Sequence, residues 1–247
     1  MVHGSVRSTV SDVQRHGVSC YNPVMEKEPI QFREFDPAGD IQYAERKLPH
    51  WFQPGVAMFV TFRTKDSMPR AVVDRWQFEL DAWVREQGLG DSATIATSHV
   101  EQWPRAIQSE YRRLRNRLWQ FALDKCHGEC VLRRPELASI VSQSLLYFNG
   151  ERYDVDCFVV MPNHVHLLVQ FHGGWSLAKQ SESWLRFSGG QINQQLGRRG
   201  AFWQAEPFDH LVRSAEQFEF FRCYIAENPQ KANLKPSEYV LWTQTRK

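Results

Sequence analysis

The sequence predicts an α+β domain: an antiparallel sheet with helices on one face and extra helices inserted after the first strand. Three observations lead there. A nearly continuous apolar run of strand length occurs at 56–62, and two further strands are read at 153–160 and 164–171. The last two are separated only by Met161-Pro162-Asn163, a tight turn that makes them a hairpin. Between the first run and the hairpin lie long stretches with apolar residues at helical spacing.

The elements follow in order. Residues 1–48 read as a flexible arm, polar and interrupted by Pro23, Pro29 and Pro37. The strand at 56–62, VAMFVTF, is almost wholly apolar, which implies burial on both faces. A helix over 70–87 places Val73, Trp76, Leu80 and Val84 on one face and ends before Gly88 and Gly90. A second, over 103–127, aligns Ile107, Tyr111, Leu114, Leu118 and Phe121. A third begins at Pro135, where a missing N–H costs little, and reaches 148. After the hairpin come a helix over 176–196, a basic turn at 197–200 and a short strand at 208–212. The last helix is capped by Ser214, carries Glu216 and Glu219 in its first turns, and is expected to stop at Pro229. Strand, helices, strand, strand, helix, strand, helix is a split β-α-β order of ferredoxin type. The expected organisation is one domain over 49–240, with inserted helices about 69–148 and a short tail at 241–247.

Composition narrows the function classes. With 247 residues, 42% apolar and 23% charged, the chain can bury a sizeable core. No apolar run approaches the ~20 residues that span a bilayer, and the N-terminus lacks the apolar centre of a signal peptide, so a cytoplasmic location is expected. Five scattered cysteines do not make a disulfide framework. The close pair Cys126 and Cys130 has no second cluster with which to form a zinc site, which favours plain thiols near a turn. The net charge is +2, yet residues 102–134 hold eight basic and three acidic side chains. Arg112, Arg113, Arg115 and Arg117 there fit phosphate contact or a solvated helix face equally well.

Two constellations carry chemistry. His164 and His166 are two apart on a strand and so project from one face, as metal ligands or as a hydrogen-bonded histidine pair. Tyr224 and Asn228 are four apart on the last helix and also share a face. The phenol is a potential nucleophile and the amide oxygen a potential ligand, whereas a plain core aromatic is the alternative.

The string from Val160 to Val169, VMPNHVHLLV, resembles the HUH signature of single-tyrosine transposases. Tyr224 to Ala232, YIAENPQKA, resembles the tyrosine helix of that family, and Gly200-Ala201-Phe202-Trp203-Gln204 its aromatic link. Pro49-His50-Trp51 through Thr61-Phe62-Arg63 is similar to the first strand of the REP-associated tyrosine transposase branch; the resemblance covers about residues 49–240. It implies that His164, His166 and Asn228 hold Mg²⁺ or Mn²⁺ and that Tyr224 is the nucleophile. It also implies a single-stranded DNA substrate, with a hairpin beside the cut, and a 5′-phosphotyrosine intermediate. Arg198, Arg199, Arg213 and Lys231 are then candidates for phosphate contact, and Trp203 for a base. Monomer and dimer both stay open.

The rival class is a domesticated hairpin-DNA-binding protein with weak or no cleavage. An RNA-binding sheet of similar fold would display a Lys/Arg-Gly-aromatic pattern, absent from these strands. A helical His-Glu-x-x-His zinc hydrolase motif is also absent.

Overall fold

The computed structural model describes residues 33, 35–45, 49–89 and 97–244. The arm expected over 1–48 falls mostly outside the described residues. Its described part includes β1 (Gln42–Glu45), which pairs antiparallel with β2 (Pro49–Phe52) as a small ribbon.

The main sheet contains β3 (Ala57–Arg63), β4 (Tyr153–Val160), β5 (His164–Phe171), β6 (Phe208–Leu211) and β7 (Val240–Thr243), in the order β6-β3-β5-β4-β7. Every neighbouring pair is antiparallel. The chain leaves β3 through α1 (Arg70–Glu86), α2 (Arg105–Asp124) and α3 (Pro135–Leu146) before entering β4 on the far side of β5. It then turns back as β5 and crosses by α4 (Leu177–Leu196) to β6. The core order β6-β3-β5-β4 is the split β-α-β topology that the element order implies. Helix α5 (Ala215–Lys231) follows.

Helices cover both faces of this sheet, not one. On the first face Met58, Val60, Phe62, Val165, Leu167 and Val169 meet Leu137, Val141 and Leu145 of α3 and Trp184 and Ile192 of α4. On the second, Ala57, Phe59, Val159 and Leu168 meet Phe218, Phe221 and Ile225 of α5. The nearly continuous apolar run of β3 already demands two covers. The inserted helices α1 and α2 pack on each other around Leu80, Val84, Val100 and Tyr111, a separate small core.

Strand β4 carries a bulge between Val155 and Cys157. Tyr153 and Val155 face α3 and α4, yet Cys157 and Val159 face α5, while Phe158 and Val160 return to the first face. One extra residue has shifted the alternation. The buried Asp156 at this point meets Arg222 of α5, with Oδ2 to Nε 2.9 Å.

Two terminal features differ from the sequence reading. Pro229 does not stop α5, which continues to Lys231. A proline in the last turn forfeits only one backbone bond and keeps a helical φ, and here its ring is buried. Residues 241–243, expected in a tail, belong to β7 at the sheet edge. Four residues with alternating half-burial leave too little apolar signal for a sequence to reveal. No helix among the described residues is long and apolar enough to cross a membrane.

Candidate metal and tyrosine site

The second sheet face is where polar residues enter the core. His164 and His166 are fully buried on β5, side by side through the two-residue repeat of the strand. Their Nε2 atoms lie 3.1 Å apart. The cross-strand neighbours of this pair on β3 are Arg63 opposite His164 and Thr61 opposite His166. Thr61 Oγ1 is 2.8 Å from His166 Nδ1. Asn163 Oδ1 accepts from His164 Nδ1 at 2.7 Å, while Asn163 Nδ2 donates to the His127 carbonyl at 2.7 Å.

These bonds bear on the tautomers. An amide that donates through Nδ2 can only accept through Oδ1, so the proton of His164 sits on Nδ1 and its Nε2 lone pair is bare. Thr61 can accept from His166 in the same way, which leaves two bare nitrogens facing one point. Imidazoles held through Nδ1 by a second group are the usual arrangement around a bound cation. Burial holds His164 down to about 3. Burial, with His164 beside it, holds His166 well below the usual imidazole range. Both rings are neutral, as ligands must be.

Helix α2 supplies a residue that sequence reasoning missed. Asp124, at its last turn, brings a carboxylate oxygen within 4.8 Å of the ligating atoms of both histidines. Burial raises its carboxyl above the usual range, with Asn228 and Lys231 acting in the opposite direction. Asp124 lies forty residues before His164 in sequence, and no motif marks it. Its acid in the last helical turn, where acids are unfavourable, is the one signal available.

Helix α5 closes the site. Phe218, Phe221 and Ile225 anchor it to the sheet, and Phe221 stacks on Phe59 with ring centres 4.3 Å apart. The Tyr224 ring lies 5.1 Å from that of His166, edge to face. Asn228 is fully buried, and its Nδ2 donates to Asp124 Oδ1 at 3.2 Å. Among the described residues, seven buried side-chain polar atoms have no hydrogen-bond partner, and two of them are Tyr224 Oη and Asn228 Oδ1. A buried polar atom left without a partner costs about 1–3 kcal/mol. Two such atoms beside two bare imidazoles fit a site built for a cation or an anion. Burial pushes the Tyr224 phenol up, the Asp124 charge adds to this, and the Asn228 side chain opposes it.

Two imidazole nitrogens, one carboxylate and one unpartnered amide oxygen therefore match the donor set of a divalent ion. The structure thus brings together His164, His166, Tyr224 and Asn228, and adds Asp124.

The expected nucleic-acid residues are more scattered. Lys231 reaches back over Tyr224, its Nζ 5.4 Å from the ring centre, and pairs with Glu227 at 3.1 Å. Arg198 pairs with Glu129 at 2.7 Å. Arg199 is exposed and Arg213 lies over Phe35. Trp203 is not a surface ring. It is buried against Phe62, and its indole N–H donates to Ser188 Oγ at 2.9 Å. Of the basic stretch, Arg112 pairs with Glu101, whereas Arg113 and Arg117 are exposed on α2. Cys126 and Cys130 lie at a turn where both take left-handed φ, and Cys130 Sγ donates to the Cys126 carbonyl. Burial pushes the Cys126 thiol up to about 12.

Searched against protein-family models, and against curated proteins, the sequence matches none. It is similar to a solved structure of a REP-associated tyrosine transposase bound to a REP hairpin. The likeness covers 79% of this chain and 90% of that chain, at 11% identity and a TM-score of 0.39.

Proposed function

We propose that this chain is a metal-dependent endonuclease and strand transferase for single-stranded DNA, acting through a covalent 5′-phosphotyrosine on Tyr224. The supporting observation is the meeting of an unpartnered phenol with two buried neutral histidines and a carboxylate. A structural aromatic would either face apolar neighbours alone or have its hydroxyl bonded.

In this reading His164, His166 and Asp124 hold Mg²⁺ or Mn²⁺, and Asn228 Oδ1 would be the fourth donor. The ion, when bound, neutralises charge on the scissile phosphate and eases loss of the phenolic proton. Tyr224 Oη then forms a bond to phosphorus in line with the 3′ oxygen, and the P–O3′ bond breaks. The phenolic proton is matched by the proton gained at the released 3′-hydroxyl, so the step is neutral overall. One phosphodiester is exchanged for another, which allows the reverse attack by a 3′-hydroxyl without an external energy source. Buried against Phe59 and His166, the ring is held in one orientation, which favours a single attack geometry. A buried phenol ionises poorly alone, so the chemistry depends on the neighbouring cation.

The test is a denaturing gel of labelled hairpin-bearing single-stranded DNA with Mn²⁺ or Mg²⁺. The expected result is a covalent protein–DNA band, lost with EDTA and with Tyr224→Phe. A band that persists in Tyr224→Phe overturns the nucleophile assignment. Tight hairpin binding with no adduct under any metal replaces this reading with that of a hairpin-binding protein.

A further inference from the structure

A small cavity of about 160 Å³ is lined by Arg63, Met68, Val73, Trp76 and Trp119. Arg63 ends β3, opposite His164 in the register, so the two side chains leave the same face of the sheet. Trp76 comes from α1 and Trp119 from α2, the helices inserted between β3 and β4. The inserted helices therefore share a cavity with Arg63, the cross-strand neighbour of His164.

Its chemistry is unusual for a protein interior. Arg63 is half-buried, and burial lowers its guanidinium below the usual range. A cation so placed normally has a carboxylate partner. Among the described residues Arg63 has none: its one side-chain bond is from Nη1 to the neutral Ser67 Oγ, at 3.0 Å. Ser67 is already committed, since its hydroxyl donates to the Thr64 carbonyl. The remaining guanidinium donors form a fork suited to a phosphate. Two half-buried indoles, Trp76 and Trp119, line the same cavity. The Trp119 ring is already held in place by Phe208, 5.4 Å away between centres. At about 160 Å³ the space is of the size of one ring system rather than of a base pair.

We propose that this cavity is a nucleotide subsite, in which Arg63 binds a backbone phosphate adjacent to the scissile one and the indoles of Trp76 and Trp119 receive one unpaired base. The subsite rests on the single-strand cleavage reading. It explains why the strand must be unpaired at the cut: a base in this compartment cannot also be in a duplex. It also gives the inserted helices a task in substrate selection.

The experiment measures binding of a fluorescein-labelled single-stranded oligonucleotide across a salt series, with adduct formation on the same samples. Wild type, Arg63→Met and Trp119→Phe are compared, each on an intact oligonucleotide and on a set carrying one abasic position in turn. Arg63→Met is expected to weaken binding and to reduce the slope of log K against log salt by about 0.7, the share of one single-strand phosphate. One abasic position is expected to cost wild type about 5–100-fold, the worth of one stacked base, and to cost Trp119→Phe clearly less. Phenylalanine keeps an apolar ring at that place, so the variant does not depend on tolerating an empty space. Unchanged salt slope and no preferred abasic position, in a protein that still forms the Tyr224 adduct, overturn the subsite and leave the proposed function standing. Absence of both adduct and single-strand binding in wild type overturns the proposed function, and the subsite falls with it.

Discussion

The two faces of the central sheet are built from the same three strands and have opposite characters. Towards α3 and α4 several buried polar groups are closed off in pairs: the Trp184 indole donates to the Tyr153 hydroxyl, which donates to the Leu145 carbonyl, and Trp203 donates to Ser188, although Gln180 Nε2 on α4 has no partner. Towards α5 the sheet buries two histidines, a threonine and an asparagine, and leaves the Tyr224 hydroxyl and the Asn228 oxygen without partners. A fold that spends its packing on one face can hold a locally unfavourable arrangement on the other. The contrast teaches that stability and chemistry are separable here, face by face, and single substitutions can test the separation.

The largest effect expected is on the α5 face. Tyr224→Phe should reduce adduct formation by about a thousand-fold or more, as loss of a nucleophile does in concerted sites. The same substitution should leave the melting temperature equal or higher, because it removes a buried hydroxyl that has no partner. A marked fall in melting temperature would show that the hydroxyl is structural, and the contrast between faces would fail. On the other face Leu145→Ala should cost about 2–5 kcal/mol in a denaturant melt, since the side chain is fully buried between α3 and the sheet. Adduct formed per folded molecule should be unchanged below the melting temperature.

Metal binding gives the next effect. At a hundred times its dissociation constant, Mn²⁺ should stabilise the wild-type fold by about 2.7 kcal/mol, read as a thermal shift. His164→Ala and His166→Ala should each abolish the shift, and Asp124→Asn should shrink it. An equal shift in the histidine variants would move the ion elsewhere.

The smallest is a pH effect on the metal-free protein. Burial lowers both histidines in the folded state, so between about 6.5 and 3 the unfolded chain binds more protons than the folded one. Stability is therefore full above the unfolded value and is lost as pH falls, by at most about 1.4 kcal/mol per pH unit for each ring. Urea melts in EDTA at pH 7.5, 6.5 and 5.5 should show the decline. A His164→Gln, His166→Gln double variant should decline less steeply, and parallel slopes would mean that other groups set the acid limit.

Much of this arrangement was legible in the sequence, and the reasons are local. The β4–β5 hairpin was placed to the residue because two strand-forming segments flank the tight turn Met161-Pro162-Asn163. The shared face of His164 and His166, and of Tyr224 and Asn228, follows from strand and helix periods alone. Asp124 was not legible, because its position in the site depends on how α2 docks against α5, through the Asn228 bond. Trp203 was misjudged because sequence cannot tell an aromatic ring that finds Ser188 inside from one that faces solvent. The two-sided cover of the sheet was hinted at by the almost wholly apolar β3, but the helix that supplies the second cover is the last and least amphipathic in appearance.

The extra residue in β4 has a mechanical consequence. By turning Asp156 towards α5, the bulge ties the tyrosine helix to β4 through Arg222, two residues before Tyr224. The imidazole pair rides on β5. Phenol and imidazoles are thus moored to adjacent strands of one pleated surface, and the gap between them is set by the pitch of that pleat. A change in local strand twist at Asp156 would widen or narrow that gap without disturbing any residue that lines it.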